Sequence, residues 1–495
     1  MAQKGGFAMS GSLATGSMYT LELLAIVLYF LVLLTVGYFS YRKSISAADF
    51  IIGSRSLNYW LTALAAHASD MSSWIFLAYP ATIFSQGLIS VWVAIGLIVC
   101  MFMNWQWIAP KIRVATEQYN SLTFSSFFES RLGDTSGRIR IFSALILIVF
   151  YTIYISAGLT GLGDLLTSLF QIHYGVAILI GILIVIPYVF SGGYVTLAWI
   201  DLFQGCFLLL VIIAVPFYLL GGVGGLGGIS QSMSVHHLTK SLIPDFSTAT
   251  LITIISMTFG WGLGYFGQPH IVTKFMGIRN VSEIYKSKWI GMSWMTLSLG
   301  AATLVGLVGI PFFNDRLVHP EEVFIKMVKA SFPAFIVGII LCAVLAATIN
   351  AMSSQVLVLT SSLTEDFYKR IFRPMASSKE LLTISRVGVV VVGAIAFFIA
   401  FSRTHTIYSL VEYAWSGIGA SFGPLVILSL YSNRVNKYGA WAGILGGGVI
   451  AAVWPLLNRF MPYTISPLLP AFFAGFALIL FISEITKEKH QARLR

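Results

Sequence analysis

The sequence predicts an all-α polytopic membrane protein with about thirteen transmembrane helices. Three observations carry that reading. Of the 495 residues, 57% are hydrophobic and only 10% charged, against roughly 25% charged in an ordinary soluble domain. Mean hydropathy is +0.86. Thirteen apolar runs approach or exceed the about 20 residues that a helix needs to cross the hydrocarbon core, and the longest connections reach only about 30 residues, too few for a soluble domain.

The first run, 20–41, follows a Gly/Ser-rich segment and precedes the basic pair Arg42-Lys43. That order is the reverse of a cleavable signal peptide and gives a first helix whose N-terminus is outside. The second run, 58–84, carries the polar stretch AHASDMSSW, Ala66 to Trp74, near its middle. Runs 88–110, 139–169, 174–191 and 196–221 follow. The Gly-rich connection GGVGGLGG, Gly221 to Gly228, lacks the GK[ST] ending of a phosphate-binding loop and is read as a flexible connector. Next come 248–273, containing TFGWGLGYFGQPH from Thr258 to His270, then 289–312. The run 332–362 opens into AATINAMSSQVLVLTSSLTEDFYK, Ala346 to Lys369, and 383–402, 406–431, 438–457 and 464–483 complete the set.

An odd number of spans puts the termini on opposite sides. With the N-terminus outside, the inner loops hold 23 of the 30 Lys and Arg, Lys274 among them. This satisfies the positive-inside rule, and the net charge of +11 then needs no nucleic acid. Cys100, Cys206 and Cys342 lie in apolar runs without CxxC spacing, as packing residues and not as a disulfide or zinc framework. No ATP-binding motif occurs, so any uphill work draws on an ion gradient.

Four places could carry chemistry. Asp70 lies about midway through its span, where a charge costs roughly 2.5–3.5 kcal/mol. It is either a structural hydrogen-bonded residue on a helix seam or part of a functional site. Its neighbours Ser69, Ser72 and Ser73 can bond back to the backbone and interrupt the helix, exposing carbonyls and amides at midplane. The Gly-rich segment at 258–270 is the partner interruption that a repeat of five helices would require, or else a packing motif. In the 332–362 run, Asn350, Ser353 and Ser354 share one face, as packing glue or as hard oxygen ligands suited to sodium. Asp201 sits near the inner end of its span. His67 and His270 read as satisfied core histidines, with a proton-relay role open for His67.

At these residues the sequence resembles the sodium:solute symporter family, most closely its bacterial sodium/proline symporters. The motifs are ASDMSSW, NWQWIAPKIRV, TIYISAG, GWGLGYFGQPH, LAAT, SSLTEDFYK and EYAWSGIGASFGP. The resemblance implies a leucine-transporter-like core of two inverted five-helix repeats, 58–221 and 248–431, after one extra helix (20–41) and before two more (438–483), in one transporter domain. It implies a sodium ion held by the carbonyls of Ala68, Met71 and Ala347. The two hydroxyl residues that the family usually supplies next fall on Asn350, whose amide oxygen could substitute, and on Ala351, which has no side-chain oxygen. A second sodium site would use Asp201, Ser353 and Ser354. Substrate contacts carry over to Trp74, Tyr154, Trp261, Tyr265 and Gln268, with Asp70 and Ser72 in coupling or in shaping the helix break.

The implied activity is sodium-coupled import of a small solute, L-proline first, by alternating access in the bacterial cytoplasmic membrane. The partners are then solute, sodium and lipid, with no nucleic acid and no obligate protein partner. The alternatives are a different solute within the same family, proton coupling, or a channel. An enzyme is disfavoured because no metal set and no nucleophile with its base is present.

Overall fold

The computed structural model describes residues 6–40, 51–191, 194–313 and 317–487. Within them the chain is helical, with two isolated β-bridges, Leu57 to Ile278 and Gly87 to Thr239, in place of any sheet. The helices are α1 Gly6–Ser40, α2 Tyr59–Ala68, α3 Ala78–Gln86, α4 Val91–Met103, α5 Ala109–Gln118, α6 Phe124–Leu132, α7 Arg138–Phe170 and α8 Tyr174–Ser191. They continue as α9 Tyr194–Leu220, α10 Gly225–Val235, α11 Thr248–Gly262, α12 Pro269–Met276, α13 Ile284–Phe312, α14 Val323–Ser331 and α15 Ala334–Ser361. The last four are α16 Ser378–Phe401, α17 Ile407–Tyr431, α18 Lys437–Leu457 and α19 Leu468–Ile485.

Eleven helical stretches of the described residues are long and apolar enough to cross a membrane. The two remaining expected spans have clear reasons for falling outside that set. The 58–84 run is broken into α2 and α3, and α8 is described as an apolar helix only through Val185. Local chemistry sets the helix starts: Asn58, Ser247, Thr406 and Asn436 each accept a hydrogen bond from an amide of the first turn, supplying acceptors to groups that the helix itself leaves unpaired. The centre of the bundle is α15 and α17, the most enclosed spans, while α1 and α16 lie at the periphery.

Several expectations are corrected. The first helix extends upstream to Gly6, while its membrane-length apolar part, Thr20–Phe39, agrees with the expected 20–41 run. The Gly-rich connector is only partly a loop. Gly224 and Gly225 adopt φ of +79° and +62°, which glycine tolerates, but from Gly225 the chain is helical because Ile229 and Met233 are buried against the bundle. Cys206 is exposed on its helix, unlike the buried Cys100 and Cys342. The α15 span continues through a π-helical stretch, Ser362–Phe372. Arg42, Lys43, Lys489, Arg493 and Arg495 lie outside the described residues.

The two broken regions are tied at one face. Leu57, just before α2, donates its amide to the Gly277 carbonyl at 3.1 Å and accepts from the Arg279 amide at 2.8 Å. Arg55 and Arg113 reinforce the knot by donating to the carbonyls of Met276 and Ile278.

Candidate functional site

The first break is built by short-range competition for amides. Ser69 Oγ donates back to the Ala65 carbonyl at 2.6 Å. The Ser72 amide, which a continuous helix would send to the Ala68 carbonyl, bonds Asp70 instead, and the Ile75 amide goes to Ser72 in place of Met71. The Ala68 and Met71 carbonyls therefore lose their helical donors, as a bilayer-embedded backbone tolerates only where it lines a site. Ser72 Oγ then accepts from the Trp74 amide at 3.2 Å and restarts the chain into α3.

The second break runs from Gly262 through a 3-10 turn, Leu263–Gly267, to an extended Gln268. Pro269 then opens α12, where its missing amide costs nothing. Gly264 is required here by close approach: a Cβ would lie 1.9 Å from Trp415 Nε1.

The two breaks meet. Tyr265 donates its hydroxyl to Asp70 Oδ2 at 2.5 Å, and both are buried. The geometry is that of a charge-assisted bond. Trp74 packs on Trp261 with ring centroids 5.0 Å apart and stacks on Tyr79 at 5.2 Å. Trp415 from α17 closes the group. Its Nε1 donates to the Trp261 carbonyl, its own carbonyl accepts from Gln268 Nε2, and its ring meets Tyr265 edge-on. Trp261 Nε1 donates to the Tyr408 hydroxyl at 2.9 Å.

Asp70, Trp74, Trp261, Tyr265 and Trp415 enclose a cavity of about 20 Å³ bounded also by Tyr154, Leu97, Met71 and Val411, which is room for about one water. Trp74 Nε1 and Gln268 Oε1 are buried without a hydrogen-bond partner among the described residues. They are a donor and an acceptor left for something else.

The structure therefore gathers Trp74, Tyr154, Trp261 and Tyr265 around Asp70, and hangs Gln268 on the same scaffold through Trp415. Helix α15, which carries Ala347 and Asn350, packs against both α2 and the Ser73–Ile75 turn. However, the Asn350 side chain faces the Asp201 carboxylate, and its Oδ1 has no partner. Asp201 is itself paired with Lys274 at 3.1 Å, each side chain only 3% exposed. Ser353 Oγ donates to the Ile349 carbonyl, and Ser354 borders a separate cavity with Lys274 and His270. A cation at Asp201 would have to displace an ammonium already present.

Lys274 thus corrects the sequence reading, which placed it in a loop. His67 accepts from Trp105 Nε1 at 3.1 Å and packs against Trp105 and Trp294 as a core histidine. His270 pairs with the Tyr151 hydroxyl. Sequence reasoning missed Trp415 and Tyr408. The only signal was their place in or beside EYAWSGIGASFGP.

A family model for the sodium:solute symporter family matches residues 50–447. The chain belongs to the sodium:solute symporter family. This symporter is 39% identical over 468 residues to the high-affinity proline transporter PutP of Bacillus subtilis, covering 93% of this chain and 97% of that one. It is 38% identical over 476 residues to sodium/proline symporter 2 of Staphylococcus saprophyticus, covering 94% and 92%. Among solved structures, a sodium-coupled sialic acid symporter superposes with a TM-score of 0.77 at 17% identity, over 94% of this chain and 97% of that one. The fold is thus leucine-transporter-like. The relatives are bacterial membrane transporters, and the symporter family is one of transporters and not of enzymes.

Proposed function

We propose that the chain imports L-proline together with sodium by alternating access. The observation that carries this reading is the Tyr265–Asp70 bond joining two helix breaks, beside two main-chain carbonyls stripped of their helical donors. Half-helices at midplane are where transporters of this kind bind ions and carboxylates. The names of the relatives favour proline.

Sodium as the carried ion fits the carbonyl oxygens of Ala68, Met71 and Ala347, hard ligands without a charge of their own. Asn350 Oδ1 is available as a fourth. Trp74, Tyr154, Trp261 and Tyr265 would hold a pyrrolidine ring and attract its ammonium through their faces, with the Trp74 indole N–H and the Gln268 amide oxygen as polar contacts. Asp70 orients the first break through Tyr265. Ser72 fixes where the chain turns back into a helix. A second sodium at Asp201, Ser353 and Ser354 would compete with Lys274.

The repeats 58–221 and 248–431 would rock about this centre, with 20–41 and 438–483 as flanking helices. We place the chain in the bacterial cytoplasmic membrane, N-terminus outside, on the distribution of Lys and Arg. Each sodium crossing 100 mV supplies about 2.3 kcal/mol, and a tenfold gradient adds about 1.4 kcal/mol. Together they sustain roughly 400-fold accumulation.

Proton coupling is the second reading, favoured by Ala351, which offers no oxygen, and by Asn350 being turned toward Asp201. Solute identity is tested by competition. Unlabelled L-proline in excess should abolish labelled-proline uptake while other amino acids and sugar acids leave it intact. Equal competition by another solute would move the assignment to that solute.

A further inference from the structure

A cavity far larger than the central one lies away from that site. It measures about 560 Å³ and lies between the first turns of α17, the 458–467 loop, the middle of α7 at Ile153 and the end of α16. In the proposed orientation this is the outer face. A volume of this size falls within the range of small-molecule sites, roughly 300–1,000 Å³.

Its walls are mainly apolar and ring-bearing, with Ile153, Leu410, Tyr413, Pro455 and Pro467, and they carry one carboxylate, Glu412. The described neighbour of that carboxylate is the Ser466 hydroxyl; His405 lines the same cavity, and among the described residues no Lys or Arg forms an ion pair with Glu412. Asn458, also in the wall, is committed to both backbone groups of Ile465. A carboxylate in an apolar wall that forms no ion pair is costly and favours an incoming cation. A bare metal ion would need several converging oxygens, and no metal-binding group of His, Cys, Asp or Glu occurs among the described residues. The space instead suits a cation with an apolar body, whose charge meets Glu412 and the Tyr413 ring face.

The geometry points to a second, inhibitory site for a small organic ammonium, read out through Trp261. Glu412 is one turn from Tyr408, whose hydroxyl holds Trp261 Nε1. The opposite wall is tied to α11, the helix that carries Trp261, since the Ser466 amide donates to Ser256 Oγ at 2.7 Å and Ser466 Oγ donates to the Gly260 carbonyl. A ligand wedged between α17 and this loop fixes the two elements that hold Trp261 in place.

The test is equilibrium binding of radiolabelled benzyltrimethylammonium to the full chain in nanodiscs. The expected result is saturable binding that excess L-proline does not displace and that neopentylbenzene, the neutral isostere, displaces at least tenfold less well than unlabelled cation. Glu412→Gln should weaken binding at least tenfold, and Glu412→Asp should retain most of it. The comparison of cation with neutral isostere needs no variant and so does not depend on a substituted chain folding. Equal displacement by neopentylbenzene would make the cavity a lipid crevice and overturn the proposal. So would unchanged binding to Glu412→Gln, or displacement by proline, which would place the cation at the central site. This readout stands whether or not proline is the transported solute.

Discussion

Tyr265→Phe removes one hydroxyl and keeps the ring, so it isolates the bond between the two helix breaks. In the structure that hydroxyl is the described donor to Asp70 Oδ2, at 2.5 Å and fully enclosed. Hydrogen bonds to charged groups contribute about 1.5–3 kcal/mol, and a buried acceptor left without its donor carries its own desolvation cost. At 1.4 kcal/mol per factor of ten, the loss corresponds to roughly 10- to 140-fold. If Asp70 sets the geometry of the Ala68 and Met71 carbonyls, the sodium concentration for half-maximal proline uptake should rise by a factor in that range. Tyr79→Phe is the control. It breaks a neutral bond to Thr303 of 2.8 Å away from the break, worth only about 0.5–1.5 kcal/mol. The assay is initial uptake into proteoliposomes across a sodium series. Equal sodium dependence in Tyr265→Phe and the unsubstituted chain, at equal reconstitution, would refute the claim that Asp70 works through Tyr265.

Gly264→Ala should push Trp415 off the Trp261 carbonyl, lowering the melting temperature by an overpacking cost of about 1–3 kcal/mol and abolishing uptake; normal uptake would mean that Trp415 is not part of the closure. Asn350→Ala should weaken sodium dependence far more than Ser361→Ala, and equal effects in the same uptake assay would remove Asn350 from the ion site. Glu321, in the loop before α14, accepts from the amides of Ile407 and Tyr408 at 3.2 and 3.0 Å. Burial there raises its carboxyl above the usual range, although those amides pull the other way. The form with this contact made thus binds the proton more tightly than one with Glu321 hydrated. The contact is strongest below the ordinary Glu value of about 4.3 and is lost as pH rises through the raised value. Labelling of Val411→Cys should accelerate across that window in the unsubstituted background and show no step in Glu321→Gln.

Much of this was legible in the sequence because a bilayer makes polar residues conspicuous. Asp70 with Ser69 and Ser72 could not sit in a plain apolar helix, and the structure shows Ser69 Oγ bonding back to the Ala65 carbonyl and Ser72 Oγ taking the Trp74 amide where the helix stops. The second break was legible from Gly264, Gly267 and Pro269 together. Lys274 was not, because a lysine one residue past an apolar run reads as a loop cation. What buries it is Asp201, 73 residues earlier, and nothing local announces that pairing. Trp415 and Tyr408 escaped for a related reason: aromatics in an apolar helix look alike whether they pack or line a site. The Gly-rich 221–228 stretch misled in the opposite sense, since its glycines signal a loop while Ile229 and Met233 anchor a helix just beyond.

The most direct test of sodium-coupled proline import is labelled L-proline uptake into proteoliposomes under an imposed inward sodium gradient, an imposed proton gradient, or neither. The account predicts concentrative uptake with the sodium gradient alone, collapsing when sodium is equalised. Uptake driven by protons and indifferent to sodium would contradict it.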